Sequence, residues 1–356
     1  MRPLPLPEPS AGLEAYEAER VACLALDERK RVNYQKALSA KMLRRPNVYH
    51  LPTKLDVENT SRCNFACSMC AVSTWPKGKR AEDLSLERFK HLIDEQYGLV
   101  EIKLNGLGEA LLQGDDYFEM IRYARARRIW VRMTTNASLL HLRDNYRKLV
   151  DSGVNEIDIS VDGADAATFE GIRIQSDWNR VRSNIKMLNS YAFYKERWFT
   201  KMWTLVQRAN VADLERHVPL AKALGFRHLV FSCSLHGWGD DALAERNRGE
   251  MVALDLYRAE VLVGLGREIG VRVAFWDVAE KFSPDNLCPW PFERAVVTSD
   301  SRTVPCCMIG DPDKFEIGKG KTFLEAWTSE EYREFRQSHI EGRIPHVCKG
   351  CYKEAV

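Results

Sequence analysis

Three cysteines, Cys63, Cys67 and Cys70, stand in a CxxxCxxC array within "TSRCNFACSMC" (60–70). Three thiolates can hold three irons of a cubane 4Fe–4S cluster and leave the fourth iron with open positions, whereas an electron-transfer cluster normally takes four cysteine ligands. A structural zinc site would instead want two CxxC-like pairs. An open iron is a place where a cofactor or substrate can coordinate, so the short ligand set points to chemistry at the metal. A second group, Cys288, Cys306, Cys348 and Cys351, comes from three separated segments. Four donors make a closed site, and on spacing alone a fully ligated 4Fe–4S cluster and a structural zinc stand level.

The elements that must carry these cysteines are legible as alternation. Six short apolar or β-branched runs, "KLDVEN" (54–59), "VEIKLNG" (100–106), "WVRMTTN" (130–136), "NEIDISVD" (155–162), "TKMWTLVQ" (200–207) and "RHLVFSCS" (227–234), are separated by helical patterns such as "SLERFKHLIDEQ". Strands alternating with helices predict βαβ units and a parallel sheet with functional groups at the C-terminal strand ends. Residues 1–53 open Pro-rich and then predict one or two helices. The division expected is a helical extension (1–53), an α/β barrel (54–275) and a small loop-rich module stapled by metal (276–356). That module carries a hairpin turning at Ser299–Arg302 and one helix in "TFLEAWTSEEYREFRQSHI". A further helix is expected around 249–269.

Composition bounds the partners. The 356 residues are 45% hydrophobic and 29% charged with a net charge of +2, which implies a globular protein and no polyanionic partner. The basic run Arg122 to Arg132 reads as a solvated helix face rather than a nucleic-acid surface. No membrane span or signal peptide is evident, which implies a cytoplasmic protein whose ten cysteines serve metal or catalysis rather than disulfides.

The CxxxCxxC loop after a first strand resembles that of the radical S-adenosylmethionine (SAM) enzymes. The resemblance implies a partial (β/α)6 barrel in which SAM chelates the open iron and one electron releases a 5′-deoxyadenosyl radical. "NGLGEALL" (105–112) is similar to the family's GGE motif, implying SAM contacts at Gly106, Gly108 and Glu109, with Leu107 and Ala110 as departures. "TTNASLL" (134–140) resembles its TNG turn through Asn136, with Ala137 in place of Gly. Ser160 and Arg173 inherit the SAM carboxylate. Met69 replaces the usual aromatic residue before the third cysteine. The C-terminal cysteines resemble the SPASM/twitch extension, which implies one auxiliary 4Fe–4S cluster held by Cys288, Cys306, Cys348 and Cys351. Cys307 is then a buried small hydrophobe.

Three reactions follow from the resemblance. Twitch dehydrogenases of aminocyclitols are similar in cysteine spacing, so oxidation at a carbinol carbon of a sugar, aminocyclitol or glycoside is narrowly favoured, with Asp162, Arg208 and His236 as strand-end candidates for the base. Epimerisation would use Cys233 as hydrogen donor, and modification of a ribosomal peptide is the third class. Each needs an external one-electron reductant of flavodoxin or ferredoxin type. A plain electron-transfer protein is disfavoured by the open three-cysteine site.

Overall fold

The computed structural model describes residues 4–76 and 78–353; the first three residues of the Pro-rich stretch lie outside them. Among the described residues nine strands form one open sheet in the order β7-β6-β5-β4-β3-β2-β1-β8-β9. They are β1 (Lys54–Val57), β2 (Glu101–Leu104), β3 (Trp130–Thr135), β4 (Glu156–Ser160), β5 (Thr200–Leu205), β6 (His228–Ser232), β7 (Arg272–Trp276), β8 (Arg294–Val297) and β9 (Thr303–Val304). Strands β1 to β8 run parallel to their neighbours, and only β9 turns back against β8. The six expected strands are all present, curled into an open partial barrel with helices outside.

Two pairings go beyond the expectation. β7 adds a seventh parallel strand beside β6. The hairpin of the C-terminal module does not stand apart: β8 pairs with β1, Leu55 opposite Ala295, and so continues the barrel's own sheet. The helical readings also change in detail. The helix expected around 249–269 is two, Asp241–Glu250 and Leu256–Ile269, and the Ser329 cap splits the C-terminal one into Phe323–Trp327 and Glu330–Ile340. In each case an Asp or Ser side chain accepts from the first turn of the new helix and fixes its start.

Strand alternation divides the sheet into two chemistries. Leu55, Val57, Ile102, Leu104, Val131, Met133, Ile157 and Ile159 are fully buried against the helices. Tyr117, from the helix Asp115–Ala126, reaches across this face to the Leu104 carbonyl and the Met133 sulfur. The opposite, concave face is charged. Arg132 lies 3.6 Å from Glu101 and 3.5 Å from both Glu156 and Asp158. Arg294 faces Asp56 at 3.5 Å and also pairs with Glu101, while Lys201 meets Glu156 at 2.7 Å. Arg132 thus belongs inside the barrel and not on the solvated basic face expected for Arg122 to Arg132; β3 begins at Trp130 and turns it inward.

Helices α1 (Leu13–Ala25) and α2 (Glu28–Met42) close the other end. The Tyr16 hydroxyl donates to Glu101 at 2.7 Å and its ring meets Trp130 edge-on, at the first residues of β2 and β3. The Pro5 carbonyl accepts from Phe275 at 2.8 Å and Glu8 pairs with Arg272, so the preceding segment runs along the free edge of β7. With the N-terminal strand ends covered, the C-terminal ends are left to bear the site. Among the described residues no helix is long and apolar enough to cross a membrane.

Candidate active site

The loop after β1 carries Cys63, Cys67 and Cys70 and is held on three sides. Ala66 and Ser68 donate to the carbonyls of Ile174 and Ile172, fastening it to the end of the helix that follows β4. Glu109 donates its backbone N–H to the Arg62 carbonyl at 2.8 Å, fastening it to the turn after β2. Asn247, from the helix Asp241–Glu250, donates to the Met69 carbonyl at 3.0 Å. Met69 itself is buried in the core.

The thiols fit a cluster by their chemistry. Burial pushes Cys63 up to about 12 and Cys70 up to about 11, and neighbouring thiolates of the triplet oppose ionisation further. Burial also raises Cys67, against the pull of Arg173, whose Nη1 stands 3.9 Å from the Cys67 sulfur. Such thiols ionise only against a compensating positive centre, which metal supplies.

The turn after β2 approaches the loop so closely that only glycine fits. A Cβ on Gly108 would fall 2.3 Å from the Arg62 carbonyl oxygen, and one on Gly106 would meet the Glu58 side chain at 2.2 Å. Glu109 spends its carboxylate internally: it accepts from Thr135 Oγ1 at 2.7 Å and the Asn136 N–H at 2.8 Å, and caps the following turn through Leu111. Burial raises its pKa, and those same donors hold it back down. Asn136 is engaged as well, donating to Asn64 at 3.1 Å and accepting from Ser138. Glu109 and Asn136 thus act as positioning residues that hold the turns after β2 and β3 to each other and to the cysteine loop. Ala137 takes the left-handed conformation (φ 62°) that a glycine adopts without penalty, so the turn keeps its shape despite the departure in sequence.

At the end of β4, Ser160 is partly exposed and forms no side-chain hydrogen bond among the described residues, while Arg173 pairs with the fully buried Asp162 at 2.7 Å. Asp162 also accepts from the Leu205 N–H at 2.8 Å, so it is committed to structure rather than free to act as base. Arg208 is exposed and ties its loop to the Gly249 carbonyl, outside this constellation. His236 and Cys233 lie together after β6. Burial holds His236 down at about 4 and pushes Cys233 up to about 12, with Asp277 acting on both. Near neutrality the first is a neutral imidazole and the second an intact S–H.

The C-terminal cysteines gather at the outer edge of the sheet. Cys348 and Cys351 sit on the turn His346–Cys351, and Tyr352 receives the Cys288 N–H on its hydroxyl at 3.0 Å. Burial raises Cys288, and the thiolates of Cys348 and Cys351 add to it. The Tyr332 hydroxyl is fully buried without a partner among the described residues, within electrostatic reach of Cys306, Cys288 and Cys348. An orphaned donor amid buried thiols fits a cluster whose sulfurs would accept it. Cys307 contacts Cys306 and also feels Asp56, Lys103 and Arg294, so it stands between this group and the barrel interior.

Sequence reasoning missed Glu58 and Arg80. They form a buried ion pair behind the cluster loop, and Glu58 also accepts from the N–H groups of Leu107 (3.2 Å) and Ser299 (3.1 Å). One carboxylate thereby joins the end of β1, the turn after β2 and the C-terminal hairpin. A Glu directly after the charged–apolar strand β1, five residues before Cys63, was the available signal.

Comparison with known proteins agrees with this geometry. The radical SAM superfamily model matches residues 57–221, and that of the SPASM iron–sulfur cluster-binding domain matches residues 288–352. Mycofactocin maturase MftC of Mycolicibacterium smegmatis is 26% identical over 311 residues, 84% of this chain and 75% of its own. PqqA peptide cyclase of Ruegeria pomeroyi is 24% identical over 320 residues, covering 84% of this chain and 80% of its own. Among solved structures, Streptococcus suis SuiB bound to precursor peptide SuiA superposes with a TM-score of 0.62 at 13% identity, over 85% of this chain and 70% of that one. The chain thus carries a radical SAM domain and a C-terminal SPASM region, which imply SAM and iron–sulfur clusters as its cofactors.

Proposed function

We propose that this radical SAM enzyme modifies a peptide. The observation that carries the reading is the extent of its likeness to a peptide cyclase, which covers 84% of the chain. The expectation of a sugar, aminocyclitol or glycoside substrate finds no support in these relatives and is replaced. SAM, when bound and reduced by one electron from an external reductant, supplies a radical that abstracts a substrate hydrogen.

This chain's own residues then have distinct tasks. Cys63, Cys67 and Cys70 hold the open cluster, the backbone of Gly106 to Gly108 with Ser160 and Arg173 receives SAM, and Cys288, Cys306, Cys348 and Cys351 hold the auxiliary cluster. A second reading, hydrogen return by Cys233 with inversion of a peptide carbon, is favoured by the thiol's burial, which keeps the S–H that a donor needs.

The test is 5′-deoxyadenosine formation by reconstituted, reduced protein with peptides, followed by product mass in deuterated water. Peptide-dependent 5′-deoxyadenosine that disappears in Cys67→Ala supports the reading. One solvent deuterium without other mass change, lost in Cys233→Ala, identifies inversion; a loss of about two daltons untouched by that variant identifies oxidation or crosslinking. Stimulation by sugars and not by peptides would overturn the proposal.

A further inference from the structure

A cavity of about 190 Å³ opens at the first residues of β5 and β6, Thr200 and His228, the strand ends opposite to those that carry the cysteine loop. Its lining includes three formal cations, Arg197, Lys222 and Arg227, and no Asp or Glu. None of the three forms an ion pair within 4.0 Å among the described residues. The Arg197 guanidinium donates to the Val150 and Val154 carbonyls, which bear no charge to offset its own. Asp151, the carboxylate that acts on it, is already held by Lys195 at 3.4 Å and Tyr191 at 3.1 Å. Glu196, next before Arg197 in the chain, does not line the cavity. Burial first, and then Lys201, Arg272 and Arg227, hold His228 on the cavity wall down at about 4, as a positive local potential does.

The same wall is aromatic. Arg227 lies over the Trp198 ring at 4.1 Å, and Phe193 meets Trp198 edge-on at 6.2 Å. Phe193 and its neighbour Tyr194, at the end of the helix Trp178–Tyr194, are 66% and 77% exposed, an apolar display that a surface without a partner has no use for. A pocket that encloses a whole small ligand runs to about 300–1,000 Å³. This one is smaller and suits one side chain of something longer, whose remainder rests on the aromatic rim. We propose that the cavity docks an acidic segment of the substrate peptide, with a carboxylate side chain facing Lys222 and Arg227 and an apolar neighbour lying on Phe193 and Trp198. The assignment rests on the peptide reading and adds a recognition element to it. β5 is six residues long, about 20 Å, so the docked segment is not the one that reacts. At least about six extended residues must separate the two.

Two measurements on the reconstituted full-length protein test it. The first is fluorescence anisotropy with four labelled probes: the hexapeptide Glu-Asp-Phe-Leu-Asp-Glu, its uncharged counterpart Gln-Asn-Phe-Leu-Asn-Gln, the acidic Glu-Asp-Ser-Ser-Asp-Glu, and a hexauridylate. The first probe should bind on the order of tenfold more tightly than either other peptide, and its advantage over the uncharged one should shrink at high salt. In Lys222→Glu/Arg227→Glu it should fall to the level of the uncharged probe, and in Phe193→Ser to that of the acidic probe without apolar residues. The second is 5′-deoxyadenosine formation with a pool of short peptides joined through about ten Gly and Ser residues to the first or the second hexapeptide. At limiting peptide the acidic tail should raise formation by on the order of tenfold, and the charge reversal should remove the difference. The change that SAM makes to the electron paramagnetic resonance signal of the open cluster stays the same in every variant, which marks the fold and the SAM site as intact. Equal binding of the charged and uncharged probes, affinity untouched by the charge reversal or by Phe193→Ser, tighter binding of the hexauridylate, an acidic tail without advantage, or a SAM response lost in a variant overturns the docking site while leaving the peptide reading intact. No 5′-deoxyadenosine with any peptide in the wild type overturns the peptide reading, and with it the assignment of this cavity to the substrate.

Discussion

A single NH2 group of Asn247 donates both to the Met69 carbonyl, inside the cysteine array, at 3.0 Å and to the His236 carbonyl at 2.6 Å. Two segments of the mouth, the cluster loop and the segment after β6, are thereby set relative to each other by one amide that is itself buried. Asn247→Ala leaves both carbonyls without their donor. Thermal melts should record a loss of about 1–3 kcal/mol, and the SAM-induced spectral change of the open cluster should broaden while the auxiliary signal holds. An unchanged melt and unchanged spectrum would count against the bridge.

The Glu58–Arg80 pair is the other clamp, with side chains only 1% and 3% exposed. Arg80→Met strands a buried carboxylate and should cost about 3–5 kcal/mol. Adding Glu58→Gln should recover part of that loss, since no unpaired charge remains. If the single and double variants unfold at the same denaturant concentration, the pairing does not hold the clamp together.

Ala137 sits at φ 62° in a fully buried turn. Ala137→Gly relieves the strain but gives up chain entropy, for a net gain of about 0.5–1 kcal/mol. Chemical denaturation is the measurement, and a loss of stability would mean that the methyl packs better than the backbone suffers.

Tyr332 offers its hydroxyl to the auxiliary site and to nothing else among the described residues. Hydrogen bonds to cluster sulfur favour the reduced state, so Tyr332→Phe should lower the auxiliary midpoint potential by roughly tens of millivolts, read by potentiometric titration. The open cluster's potential serves as the internal control.

His228 is held down at about 4, first by burial and then by Lys201 and Arg272. Unfolded, it titrates near 6.5, so below that pH the unfolded chain binds more protons than the folded one. The stability it contributes is full above about 6.5 and drains away as pH falls toward 4. The melting temperature should decline over that window, and His228→Gln should flatten part of the slope; an identical slope in the variant would assign the decline elsewhere.

The fold was legible because helices and strands alternate with clear periods, and the cluster loop because few sequences space three cysteines this way. Glu109 was legible as a motif member, but its carboxylate being consumed by Thr135 and Asn136 depends on strand neighbours far apart in sequence. The charged concave face was visible in "KLDV", "EIKL" and "EIDIS" yet easy to discount, since parallel strands are usually apolar on both faces. Here one face packs on helices and the other lines a polar chamber. The union of β8 with β1 had no local signal: hairpin residues announce a turn, not the strand that the hairpin will join. Asn247 went unread for the same reason, since its partners lie 178 and 11 residues away.

That union has a mechanical corollary. The ladder between β1 and β8 joins the strand that launches the first cysteine array to the strand lying between Cys288 and Cys306. Swinging one half of the molecule away from the other would mean unzipping a sheet from its middle. The spacing between the two cysteine groups is therefore written into backbone pairing and is no adjustable gap.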